Sequence, residues 1–198
     1  MNKSVLGGIA VVVAIVIGFV AYKAISLRRE AAKWAGPVQE IAEEQVTHDE
    51  KTTHTRFVSL IDAPVASVQT ALWDVENSQQ MVENIKMSKL LQGSANSKLV
   101  EINLQSLNLP LQNLTMQWTL YPEEHRITFK TVKSQAQDID GESKLEASPD
   151  GAKTRLVYTT TSHDKINLPF PQSVLDSANR ETYVNTVRGI QRSVKKAG

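Results

Sequence analysis

Side chains able to do acid–base, nucleophilic or metal chemistry are few in this sequence, and they are scattered. There is no cysteine, which removes thiolate nucleophiles, disulfides and zinc–sulfur sites together. The four histidines, His48, His54, His125 and His163, stand in no HxxxH or HExxH spacing, so no metal site and no cofactor is expected. General acid–base work would fall to His125, His163 or Asp164, and all three lie in or near turns. No catalytic residue is assigned. The chemistry the sequence does offer is desolvation. Apolar and aromatic residues recur on one face of a series of strands, where they could enclose a small apolar molecule.

The elements that would position them begin after a long apolar run. Val5–Tyr22, VLGGIAVVVAIVIGFVAY, carries no charge. As a helix it spans ~27 Å at ~1.5 Å per residue, close to the ~30 Å hydrocarbon core of a bilayer. It is longer than the apolar part of a signal peptide, and no small-x-small cleavage site stands between it and Lys23. Residues 1–25 are therefore expected to be a retained single-pass anchor at the cell membrane. Lys23, Arg28, Arg29 and Lys33 outweigh Lys3, so the positive-inside rule narrowly favours the cytoplasmic side for the rest of the chain. Residues 26–52 read as a juxtamembrane helix ended by Gly36-Pro37 and an acidic linker holding Glu40, Glu43, Glu44, Asp49 and Glu50, a solvated charge run. Net charge is +1, so nothing favours nucleic acid as a partner.

Residues 53–198 are long enough for one domain with a real core. Thr55–Ile61 reads as a strand. Asp62-Ala63-Pro64 then opens a helix whose stripe is Val65, Val68, Ala71 and Leu72, and a shorter helix comes next at 78–85. From Met87 the apolar period changes from about 3.6 to 2. Val100, Ile102 and Leu104 alternate with polar residues, as do Leu114, Met116, Trp118 and Leu120, then Ile127 and Phe129, then Ile139 and Leu145, then Leu156 and Tyr158. Strands dry on one face and wet on the other make an antiparallel meander. A long helix over 172–196 closes the chain, with Val174, Leu175, Ala178, Tyr183, Val187, Ile190 and Val194 on one face. The expected fold class is α+β, an antiparallel sheet of seven strands wrapped on that helix.

This order of elements resembles the helix-grip fold of the START-like superfamily, which includes the polyketide cyclase/dehydrase and coenzyme Q-binding families. The segment Val58–Asn77, VSLIDAPVASVQTALWDVEN, resembles the superfamily's opening strand, small-Pro turn and helix, and Leu99–Ile102, LVEI, resembles its third strand. The resemblance implies a hydrophobic ligand held between sheet and helix. It implies no single catalytic motif, because some members are enzymes and many are carriers.

By strand parity Thr131, Gly141 and Ser143 point inward and are polar or bare, which leaves room for a cavity, or at Gly141 marks a bulge. Ile102, Met116, Trp118, Phe129, Leu145, Leu156, Tyr158, Leu175 and Tyr183 would line the pocket, and Tyr158 or Thr131 would hydrogen-bond a ligand headgroup. Two loops at one end of the meander, LNLPL at 107–111 and INLPFP at 166–171, are apolar where loops are usually polar. Leu109, Leu111, Leu168 and Phe170 would rim the mouth, and the tether would reach the domain beside that rim. The leading reading is a membrane-anchored binding or carrier module for a lipid or other hydrophobic small molecule. A cyclase- or hydratase-like enzyme and a ligand-free interaction scaffold are the alternatives.

Overall fold

The computed structural model describes residues 22, 23, 25, 26, 28, 30–107, 109–167 and 169–197. The chain divides after Pro37. In the first unit the described residues from 22 to 34 are helical. Most of the expected anchor, 1–25, lies outside the described residues. Among the described residues no helix is long and apolar enough to cross a membrane.

The second unit is built on one antiparallel sheet of eight strands, β1 (Gln39–Asp49), β2 (Thr52–Ile61), β3 (Ile85–Ser94), β4 (Ser97–Leu104), β5 (Gln112–Tyr121), β6 (Arg126–Lys133), β7 (Gln137–Ala147) and β8 (Thr154–Asp164). Their order across the sheet is β1-β2-β8-β7-β6-β5-β4-β3. Helix α1 (Val65–Trp73), a 3₁₀ turn (Val75–Asn77) and the short α2 (Ser78–Met81) cross from β2 to β3, and the long helix α3 (Gln172–Ala197) ends the fold. The meander and the closing helix stand where the change of period places them. Helix α1 starts two residues later than a cap at Asp62 would place it. Pro64 sits extended just before it, and no side chain caps it.

The sheet has eight strands where seven were expected, and the extra one is the stretch read as an acidic linker. Gln39–Asp49 pairs with β2 from Gln39↔Leu60 to Asp49↔Thr52, with a bulge between Gln39 and Glu43. Its acidic residues are not a free solvated run. Glu40 meets Arg188 at 2.6 Å, Glu44 meets Arg180 at 3.0 Å, and Glu43 meets Arg56 at 2.8 Å and Arg155 at 2.9 Å. The hydrogen bonds from Arg56 and then Arg155 hold the Glu43 carboxyl below its usual range. The pairs with Arg180 and Arg188, exposed at the surface, add little each, whereas Arg155 is buried. Ile41 and Val46, which pack on the core, and a buried Ser59 hydroxyl that donates to the Glu40 carbonyl tie the strand in. An antiparallel strand of this length carries the chain across the whole sheet. Residue 38 therefore lies at the opposite end from the 105–111 and 165–171 loops, and the tether does not arrive beside the rim.

Two apolar clusters fill the space between sheet and helices. One joins Phe57, Ile61, Val68, Leu156, Tyr183, Val187 and Ile190, and the other joins Val75, Val100, Ile102, Leu114, Met116 and Phe129. Helix α3 reaches this position because Gly189 has no side chain. A Cβ there would stand 2.5 Å from the Met81 carbonyl oxygen.

Candidate functional site

A cavity of about 200 Å³ lies between the two clusters, under α3 and above the dry face of the sheet. Its lining includes eight residues expected from strand and helix parity: Ile102, Met116, Trp118, Phe129, Leu156, Tyr158, Leu175 and Tyr183. Two others do not reach it. Leu145 is buried in the first cluster instead. Thr131 spends its hydroxyl on the neighbouring strand, donating to the Ile139 carbonyl at 3.3 Å and accepting from the Ile139 N–H at 3.0 Å beyond the last paired residues of β6 and β7, so its proton is not free for a headgroup.

A row of aromatic rings runs through the cavity, four on the sheet that floors it and the fifth, Tyr183, on α3 above. Trp118 and Phe129 lie 4.8 Å apart between centroids, Phe129 and Tyr158 5.6 Å, Tyr158 and Tyr183 5.3 Å, and Tyr183 and Phe57 4.7 Å. Phe129 stands on β6 and Tyr158 on β8, with β7 between them. The ring of Phe129 crosses β7 at Gly141, where a Cβ would lie 2.6 Å from its Cζ and 2.5 Å from the Thr159 carbonyl oxygen. The bare position therefore does not open the cavity. It lets one aromatic ring span a strand. Ser143, the third inward small residue, does line the cavity and is buried.

Polar groups on the wall fall into two sets. Towards the end that carries the 105–111 loop, Gln137 donates to Gln112 at 3.2 Å, and Ser162, Thr160 and Asn179 stand nearby in the lining. Deeper, three polar groups have no partner among the described residues. The Trp118 Nε1 and the Ser78 Oγ are buried with no hydrogen bond. The Tyr158 hydroxyl likewise has none, and burial alone pushes its phenol above the ordinary tyrosine range. Burial also pushes Tyr183 up, against the lowering effect of its 2.6 Å hydrogen bond with Ser59.

These two phenols set the alkaline limit of the fold. An unfolded tyrosine ionises near pH 10, but the folded pair holds its protons to higher pH. Stability is fully present below about pH 10 and falls as pH rises from there towards the folded values, by up to about 1.4 kcal/mol per pH unit for each phenol. Chemical denaturation between pH 8 and 11 should show this slope, and Tyr158→Phe should reduce it.

The rim differs from the expectation. Leu109 does line the cavity, and it is buried, 6 % exposed, as a plug. Leu111 is 47 % exposed and stays outside, and Phe170 is half-buried without joining the lining. Leu168 lies outside the described residues. Side chains hold the plug in place. The Leu107 N–H, on a residue at φ 52°, donates to the Glu181 carboxylate at 2.8 Å, and Asn84 donates to Ser106 at 2.8 Å and to Thr182 at 2.7 Å. Across the sheet, Lys98 ties β4 to the α1–α2 corner, donating to Glu76 at 2.6 Å and to the Trp73 carbonyl at 2.8 Å.

None of the titratable turn residues enters the cavity. His125 bonds Gln69 and His163 bonds Thr52. Burial raises Asp164, with His163 and Lys51 opposing, and it too stays out of the lining. The carboxylate that does line the cavity is Asp74, which accepts from Asn77 at 2.8 Å. Sequence parity missed it because it sits in the corner after α1, where no period applies.

The sequence matches no family model and no curated protein. Solved structures do match. The Zhui aromatase/cyclase of a Streptomyces strain superposes with a TM-score of 0.65 over 73% of this chain and 94% of that one, at 14% identity. A Thermus thermophilus protein gives 0.64 over 73% and 99%, at 15%. A START superfamily protein from Mycobacterium smegmatis gives 0.59 over 73% and 99%, at 13%. The fold is the START-like helix-grip fold. The likeness covers architecture alone, and the lining of the cavity is this chain's own.

Proposed function

We propose that the domain is a binding or carrier module for a hydrophobic small molecule, held in the cavity under α3. The observation that carries this reading is an apolar cavity between sheet and α3, lined by four aromatic rings of the sheet and by Tyr183 of the helix. A cavity of about 150 Å³ suffices for benzene, so one of about 200 Å³ suits a molecule of about two fused rings. Desolvation would drive binding, at roughly 25 cal/mol per Å² of apolar surface removed from water. The run Val5–Tyr22 would anchor the module at the cell membrane, with its basic C-terminal flank favouring the cytoplasmic side.

An enzyme of the cyclase kind is the second reading. It draws on the structural neighbours described as aromatase/cyclases and on Asp74 in the lining. Asp74 would have to act as the general base, since both cavity phenols keep their protons well above neutral pH.

Calorimetric titration of the chain with a naphthalene-sized ligand tests the binding reading. Ser143→Leu adds bulk inside the cavity at a position with no hydrogen bond to lose. It should weaken binding at least about tenfold while leaving the circular dichroism unchanged, because overpacking at a void costs less than at a filled site. Unchanged affinity in this variant would mean that the ligand sits elsewhere.

A further inference from the structure

We infer that the ligand this cavity is built to take is uncharged and carries hydrogen-bond acceptors, as a ketone, quinone, ester or ether does. The inference rests on the cavity being a ligand site, and it is drawn from the polar atoms of the wall.

Among the described residues no lysine, arginine or histidine lines the cavity, and Asp74 is the one carboxylate. A carboxylate or phosphate taken inside would lose its water, find no counter-charge and share the space with a like charge. A buried ion without a partner is the most costly group to desolvate. The basic residue nearest the floor by strand pairing is Lys98, opposite Trp118, and its ammonium is already engaged by Glu76 and the Trp73 carbonyl. An ammonium ligand would lose its water for a single carboxylate, Asp74, which it would share with the Asn77 amide.

Trp118 Nε1–H is a donor and nothing else, while the Tyr158 and Ser78 hydroxyls can donate or accept. All three are idle. Leaving a buried donor without an acceptor is unfavourable; Trp118 Nε1 and Ser78 Oγ are buried in that state, and a ligand oxygen brought against either would pair it. A pure hydrocarbon would fill the space and leave every one unpaired. A ligand with carbonyl or ether oxygens pairs them while its body stacks on the aromatic floor. Towards the plugged end, the neutral amides of Gln112, Gln137 and Asn179 continue the same pattern without adding charge.

Three ligands of one shape separate the possibilities: ethylnaphthalene, acetylnaphthalene and naphthoate, titrated calorimetrically into the full chain at pH 7. The ketone should bind about five- to tenfold more tightly than the hydrocarbon, the gain expected from pairing one buried donor. Naphthoate should bind at least about tenfold more weakly than the ketone. Tyr158→Phe, which removes a hydroxyl without a protein partner, should narrow the gap between ketone and hydrocarbon and leave the hydrocarbon's affinity unchanged. Equal affinity for ketone and hydrocarbon would overturn the requirement for acceptors while leaving the cavity a binding site. Naphthoate binding as tightly as the ketone would overturn the requirement for neutrality. Binding of none of the three would remove the ligand site itself, and the inference with it.

Discussion

Val187→Asp should leave the domain unfolded at room temperature. Val187 is fully buried on α3 among Phe57, Val68, Leu156 and Ile190. A carboxylate there has no cation to pair with and no water, so it must be buried charged or protonated against its ordinary pKa. Either route costs at least about 4 kcal/mol, a large part of the 5–15 kcal/mol that holds a typical domain together. Far-UV circular dichroism and hydrogen exchange would read the loss. Arg188 next to it, half-exposed and paired with Glu40 across a surface gap, is the control. Arg188→Ala should cost no more than about 1 kcal/mol. A folded Val187→Asp protein would mean that α3 does not cover the sheet, and the cavity would lose its roof.

The second large effect sits at Gly141. Adding one methyl group, Gly141→Ala, sets a Cβ against both the Phe129 ring and the Thr159 carbonyl. The ring can swing away but the carbonyl belongs to the paired backbone of β8, so the sheet itself must shift. Overpacking of this kind costs about 1–3 kcal/mol, and the backbone contact puts Gly141→Ala at the upper end. Phe129→Leu should recover part of the loss by removing the ring that crosses β7, and a double-mutant cycle would show the coupling. In the single mutant the near-UV circular dichroism, which reports the stacked rings, should weaken more than the far-UV signal.

Legibility ahead of the structure depends on where a period exists. The strands β2 and β4 to β8 and the closing helix announce themselves because each keeps one dry face, and a dry face repeats every two or about 3.6 residues; β3, exposed along most of its length, shows no such alternation. Most of the cavity wall was legible for the same reason, since parity alone sends Met116, Phe129 and Tyr158 inward. β1 was hidden because its faces are not dry and wet. One carries Glu44 and His48 to Arg180 and Asp176 of α3, and the other carries Glu43 to Arg56 and Arg155, so acidic residues occupy both. Most of the arginines that fix it as a strand lie more than a hundred residues away, which no local pattern reports. Gly141 and Thr131 misled for a related reason. A small inward residue leaves room only if no neighbour fills it, and Phe129 and the β7 backbone do. Asp74 and Ser78 escaped because corners have no parity.

Two-dimensional NMR of the chain, labelled at backbone, indole and methyl groups and titrated with acetylnaphthalene, tests the central claim most directly. Three tryptophans give three indole N–H signals, and only Trp118 lies in the cavity wall. The Trp118 indole signal should shift, together with methyl signals of Ile102, Leu114, Met116, Leu156 and Ile190, while those of the exposed Leu90, Leu91 and Val132 stay in place. Shifts confined to exposed positions such as Leu90, Leu91, Leu107 and Leu111, with the Trp118 indole unmoved, would contradict a ligand between sheet and helix.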